Sequence, residues 1–219
     1  MNASAVVDVI QKYLFYLFVR AKRLHPYSFS PAHRKRNRFV AETVKARRRR
    51  LREGFFERYC RGTGIDIGCG KYDRVTIEAE EWNRENGDAT FMEGVPNESY
   101  DYVYSSHCLE HIIDQTTALQ NWARILKKGG FLIVAVPHRD LYEKRIVLPS
   151  LWNKDHKRFY LPDQAFPPDT FSFRKVVQEA IGDQVEWIYL KVCDEGWLPL
   201  PDRVHPVGEY QIEAVLKKK

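Results

Sequence analysis

The stretch Gly64-Ile65-Asp66-Ile67-Gly68-Cys69-Gly70 decides the fold. Its apolar alternation, Ile65 and Ile67, runs into two glycines one residue apart, the pattern of a buried strand ending in a tight turn. Glycines there can take positive φ and let a ligand lie against the backbone. In an open α/β sheet such a turn stands at the carboxyl end of a strand, where ligands bind. The dinucleotide fingerprint G-x-G-x-x-G is not completed, because position 73 is Asp.

Working outward, Tyr100 to Tyr104 predicts a strand. Leu119, Trp122, Ile125 and Leu126 recur at helical spacing, and Gly129-Gly130 are expected to stop that helix. Phe131 to Val136 is wholly apolar, as a buried parallel strand should be. Val75-Thr76-Ile77, ending at Glu78, predicts a second strand so close to Gly70 that the intervening helix is missing or reduced to a turn. Thr170 to Ile181 predicts a helix, and Val185 to Val192 and Tyr210 to Leu216 predict strands. The loop-like, aromatic stretch of about 138–169 reads as a lid.

The N-terminal side is different in kind. Val6, Val9, Ile10, Tyr13, Leu14, Leu17 and Phe18 form a helical stripe over 5–19, interrupted by Asp8, Gln11 and Lys12 and shorter than the ~20 residues of a membrane span. Residues 20–58 then carry fourteen lysines and arginines against three acids, a net charge of +11, in a chain whose total is +6. The positive field therefore belongs to the N-terminal third alone. It suits phosphates of nucleic acid, anionic lipid or a phosphorylated substrate, or else it is a solvated helical face. Within 38–59, Val40, Val44, Leu51 and Phe55 fall roughly along one side, with the arginines mainly elsewhere. The expected division is a helical basic extension over 1–61 and an α/β domain over 62–219.

Hydrophobic content of 44% with 29% charged residues is that of a soluble globular protein. Cys60, Cys69, Cys108 and Cys193 show no C-x-x-C pairing, so neither a disulfide framework nor a zinc site is expected, and no metal. The N-terminus lacks the basic segment and cleavage site of a secretory signal. The expected compartment is the cytoplasm, with peripheral contact at the inner membrane surface.

Four motifs in order carry a family resemblance: the glycine turn; Gly87-Asp88-Ala89-Thr90; Ser99 through Tyr104-Ser105-Ser106-His107-Cys108-Leu109-Glu110-His111; and Ala123-Arg124-Ile125-Leu126-Lys127-Lys128-Gly129-Gly130 with the apolar run after it. Over about 62–138 the chain resembles class I S-adenosylmethionine-dependent methyltransferases, nearest their small "type 11" branch. The resemblance implies a Rossmann-like fold with a mostly parallel central sheet, and S-adenosylmethionine as cofactor. It implies that Asp66 holds the amino group of the methionine part and that Gly68, Cys69 and Gly70 let that part lie on backbone. It further implies that the acid ending the second strand takes the ribose (Glu78, with Glu80 and Glu81 competing). Asp88 and Ala89 would meet the adenine, and Ser105, Ser106 and His107 would border the sulfonium.

A hydroxyl acceptor needs its proton taken, which makes His107, His111, His138 and His156 candidate bases. His107 leads and His156 is second; His111, four residues after His107 on the same helical face, has packing as its alternative role. No Asn-Pro-Pro-Tyr-type or Pro-Cys motif points to a nucleic-acid base. The stretch from Leu141-Tyr142-Glu143-Lys144 through Trp152-Asn153-Lys154-Asp155-His156-Lys157 is similar to methyltransferases of bacterial surface-polysaccharide pathways, which implies a sugar or glycolipid hydroxyl. The competing classes are an RNA methyltransferase gripping through the basic segment and a non-catalytic module of the same fold. Anionic membrane, nucleic acid and a second copy are the candidate partners of residues 1–58.

Overall fold

A computed structural model describes residues 42–70 and 78–219. The expected helix over 5–19, most of the 20–58 segment and the predicted strand at 75–77 lie outside these residues. Among the described residues no helix is long and apolar enough to cross a membrane.

A six-stranded sheet in the order β2-β1-β3-β4-β8-β7 organises the molecule. β1 (Gly64–Ile67), β2 (Ala79–Trp82), β3 (Tyr100–Ser106) and β4 (Leu126–Pro137) are parallel. β8 (Gln211–Lys218) runs antiparallel to β4, and β7 (Val185–Cys193) antiparallel to β8. Two short strands, β5 (Phe159–Leu161) and β6 (Thr170–Ser172), pair separately. The expected mostly parallel α/β sheet is thus present.

Because side chains alternate along a strand, both faces need cover. One face presents Ile65, Ile67, Val103, Leu132, Val134, Ile212 and Leu216, which pack on Leu119 and Trp122 of α3 (Gln115–Ile125) and Phe173 and Val177 of α4 (Phe173–Ile181). The other presents Tyr102, Tyr104, Ile133 and Val215 to Phe55 and Tyr59 of α2 (Phe55–Tyr59). α1 (Glu42–Arg52) precedes α2, separated from it by Gly54 at φ 62. The described part of the expected extension is therefore the cover of one sheet face.

α1 also reverses its predicted polarity. Leu51 is 45% exposed, whereas Arg50 is fully buried. Arg50 Nε donates to Glu213 of β8 at 2.6 Å and its Nη1 donates to the Tyr104 hydroxyl. Arg49 reaches Glu209 at 3.0 Å and Glu213 at 2.8 Å. Arg52 pairs with Glu195, and Lys45 donates to the Gly208 carbonyl at 2.7 Å. Four of the basic residues expected to face an anionic partner are thus occupied within the chain.

Three further expectations are corrected. α3 ends at Ile125 and passes directly into β4, so Gly129-Gly130 do not stop the helix. They lie in an irregular register between the pairs Tyr100↔Leu126 and Tyr102↔Phe131, where Gly129 takes φ 77. Thr170 to Ser172 form β6, and Ser172 caps α4 by accepting from Lys175 N at 3.2 Å. The strand that pairs with β1 is Ala79–Trp82, so Glu78 precedes it instead of ending it.

Candidate functional site

From β1 the chain steps to β2 on one side and later to β3 on the other. That reversal opens a crevice beyond the strands' carboxyl ends, the place where open α/β sheets bind ligands. A cleft of about 900 Å³ lies there, within the range of small-molecule sites.

Gly68 and Gly70, at φ 76 and 66, form its floor. Gly68 N donates to the Trp82 carbonyl at 2.8 Å and Gly70 N to Asn83 Oδ1 at 3.0 Å, so the end of β2 fixes the turn. Among the described residues a Cβ at Gly70 would meet nothing within 4 Å, which is what a ligand lying against the backbone requires. Asp88 and Ala89 line a second side. Asp88 Oδ1 accepts from Thr90 N at 2.7 Å, which makes it a turn cap as well as a cleft residue, and Trp122 Nε1 donates to the Ala89 carbonyl at 2.9 Å.

The third side carries His107, Cys108, His111, Asp114 and Asp155. His107 takes φ 58, uncommon for a residue with a side chain and concentrated at functional sites. Its Nε2 lies 3.1 Å from Gln211 Oε1. Burial brings its pKa down to about 3, against the opposing hydrogen bond to Gln211. Such an imidazole is neutral at ordinary pH but too weak a base to hold a proton well. Burial pushes the Cys108 thiol up to about 12, so it presents an uncharged wall. His111 Nδ1 is 3.0 Å from Asp155 Oδ2. Burial lowers the His111 pKa, and hydrogen bonding by Lys157 is the leading cause of the lowered Asp155 pKa.

Of the residues singled out from sequence, Gly68, Gly70, Asp88, Ala89 and His107 line this cleft. Asp66 is buried inside β1, and Cys69 stands behind the turn, its Sγ accepting from Asn83 Nδ2 at 3.1 Å. Ser105 and Ser106, which the resemblance places beside the sulfonium, are the last residues of β3, paired with Val134 and Ala135, and both are buried. Glu78 is at the wrong end of β2, with its carbonyl taken by the Tyr102 hydroxyl at 3.2 Å; Glu80 accepts from the Tyr100 hydroxyl at 2.6 Å. His156 is 5% exposed, with Nδ1 2.6 Å from Glu143 Oε1, and does not line the cleft. Sequence reasoning missed Asn83, Glu85 and Asp155; His111, one of its candidate bases, also lines the cleft. A β2 placed four residues later would have brought Asn83 and Glu85 to its carboxyl end.

Strand order, switch point and bare glycine floor define a Rossmann-like α/β protein built to hold a small molecule at the end of β1. Residues 48–134 match the family model described as "Methyltransferase domain". Among solved structures, a SAM-dependent methyltransferase from Archaeoglobus fulgidus shares 14% identity at a TM-score of 0.51, over 86% of this chain and 100% of that one. A putative S-adenosylmethionine-dependent methyltransferase from Listeria monocytogenes shares 13% at 0.50, over 82% and 100%. At these identities the likeness speaks for the fold, and the domain match speaks for the activity. No curated protein matches the chain. The protein is an S-adenosylmethionine-dependent methyltransferase of the class I fold.

Proposed function

We propose that the protein methylates a hydroxyl of a small sugar or sugar-lipid acceptor. When bound, S-adenosylmethionine supplies a methyl group on a positively charged sulfur. The chain's own part is to align the acceptor, and alignment alone removes much of such a barrier. The observation that carries the proposal is the composition of the cleft's third side. His107, His111, Asp114 and Asp155 offer hydrogen-bonding groups to the same space as the glycine floor, interleaved with Cys108, Ile112 and Ile113, a mixture that the hydroxyls and C–H faces of a sugar can both use. His107, His111 and Asp155 are all weaker bases than their free counterparts. This favours positioning over strong general-base catalysis.

For the cofactor we assign Gly68 and Gly70 to the methionine part and Asp88 with Ala89 to the adenine. Glu85, a carboxylate just beyond β2 that lines the cleft, takes the ribose role in place of Glu78. Asp88→Ala should weaken S-adenosylhomocysteine binding by about 1–3 kcal/mol, the cost of a lost partner at a polar group. Asp88→Asn retains an oxygen for Thr90 N but loses the second carboxylate oxygen. Calorimetry should therefore show weaker binding in both variants, with a lowered melting temperature only in Asp88→Ala. Wild-type affinity in both would reduce Asp88 to a turn cap.

The acceptor class is tested with labelled cofactor against nucleotide sugars, lipid-linked sugars and RNA. Label in a sugar hydroxyl is the expected result, and label in RNA alone would overturn it. The intramolecular pairing of Lys45, Arg49 and Arg50 weakens the RNA reading, since those three mostly buried charges are not free to meet phosphates, whereas Arg52 pairs with Glu195 at the surface.

A further inference from the structure

Behind the cleft's wall lies a cluster whose buried members, Glu110, Glu143 and His156, methyl transfer as described does not use. Glu110 and His111 belong to the 3-10 turn Leu109–His111 that follows β3, and Glu143 closes a π-helical turn, Arg139–Glu143, that follows β4. His156 arrives on a separate segment, pinned by the Lys157 N–H donating to the Glu110 carbonyl at 2.8 Å. The Glu110 side chain is 1% exposed, and among the described residues neither of its oxygens has a hydrogen-bond partner. Three imidazole nitrogens surround Oε1: His107 Nδ1 at 3.6 Å, His156 Nε2 at 3.8 Å and His111 Nε2 at 3.9 Å.

The opposite nitrogens of two of these rings explain the orientation. His111 Nδ1 is held by Asp155 at 3.0 Å and His156 Nδ1 by Glu143 at 2.6 Å. With each Nδ1–H donated outward to a carboxylate, each Nε2 lone pair points inward at Glu110. In that tautomer acceptors face acceptors, and the conflict is relieved by a cation at the centre, either a proton or a metal ion. Carboxylate-oriented imidazoles converging on a third ligand are how proteins present histidines to metals.

We propose that Glu110, His111 and His156 bind a divalent transition-metal ion of the zinc type. Two imidazoles and one carboxylate form a donor set suited to that ion. The three ligand atoms lie within 4.8 Å of one another. Around an ion with bonds of about 2.0–2.1 Å they would stand about 3.3 Å apart, so the cluster must tighten on binding. His107 and His111 both line the cleft, which places the ion one imidazole behind the acceptor space, where it would stiffen that wall. The inference concerns binding and stands independently of the acceptor proposed above.

The test titrates full-length, chelator-treated protein with zinc sulfate by calorimetry and with cobalt chloride by visible absorption. One ion per chain is expected, with the absorption bands of cobalt in a low-coordinate nitrogen–oxygen site. Glu110→Gln and His156→Ala should weaken binding at least ~100-fold, more than the ~10–100-fold typical of an outer-shell change. Asp155→Asn, at a side chain 48% exposed and so tolerant of change, should weaken it by that smaller ~10–100-fold factor. Circular dichroism checks each fold; should either buried variant fail it, His111→Ala and Asp155→Asn carry the test. Absence of saturable binding would overturn the proposal, and so would full affinity in Glu110→Gln or Asp155→Asn. Protons alone would then neutralise the cluster.

Discussion

Glu213→Ala is expected to destabilise the protein by about 3–5 kcal/mol, the cost of removing one partner from a buried ion pair. Glu213 is fully buried in β8 and receives Arg50 Nε at 2.6 Å, Arg49 Nη2 at 2.8 Å and the Tyr189 hydroxyl at 2.8 Å. Arg49 retains Glu209, but among the described residues Arg50 retains the Tyr104 hydroxyl and the Phe55 and Tyr104 rings and no acid, so a guanidinium that no solvent reaches loses its countercharge. Domains are stable by only about 5–15 kcal/mol in total, and the variant should approach unfolding. The measurement is urea denaturation, read as a lower midpoint at unchanged slope. Arg50→Met combined with Glu213→Met should recover more than half of the loss, because an apolar pair leaves no unpaired charge. A loss under about 1 kcal/mol in the single variant would mean that water reaches Arg50.

The same pair sets an acid limit. Burial works against ionising Glu213, yet Arg50 and Arg49 outweigh it and hold the carboxyl at about 2, below its ordinary 4.5. A depressed carboxylate contributes stability that is full above its unfolded value and is lost as pH falls through its folded one. The contribution should therefore disappear between about pH 4.5 and 2, and Glu213→Gln should flatten the decline in that window.

Why this pair was illegible in the sequence, while β1 was not, is a matter of range. Ile65 and Ile67 beside two glycines, and Phe131 to Val136, announce themselves locally, since a strand buried on both faces must be apolar throughout. The inward turn of Arg50 depends on Glu213, 163 residues away, and no local rule sends an arginine inward while leaving Leu51 out. β2 fails for another reason. It is an edge strand whose acids, Glu80 and Glu81, break the apolar pattern, so the neighbouring Val75-Thr76-Ile77 took its place. Helix-stop logic misread Gly129-Gly130 because pairing of Leu126 with Tyr100 begins the strand before them. The histidine cluster draws on three separate segments, so only Glu110-His111 could be seen as neighbours.

Gly70→Val is expected to abolish cofactor binding while leaving a folded protein. The two floor glycines, though alike in sequence, differ in what lies above them. A Cβ at Gly68 would stand 2.7 Å from Cys108 Cβ and 2.8 Å from its Sγ, so any side chain there displaces the start of the wall after β3. Loss of binding in a Gly68 variant would therefore confound a damaged junction with a filled site. At Gly70 the new atoms meet nothing within 4 Å among the described residues. Its cost is left-handed backbone at φ 66, about 1–2 kcal/mol for a residue with a Cβ. In a domain of this size that lowers the melting temperature by roughly 2–8 °C. S-adenosylhomocysteine should give no calorimetric heat with Gly70→Val at concentrations that saturate the wild type. Gly70→Ala, carrying one methyl instead of an isopropyl group, should bind more weakly than wild type but measurably. β-Branched Val is also more strained than Ala at this φ, so Gly70→Leu, unbranched at Cβ, completes the grading: its strain is close to that of Ala, and loss of binding there reports volume. Binding by Gly70→Val within threefold of wild type would mean that the ligand does not lie on this turn.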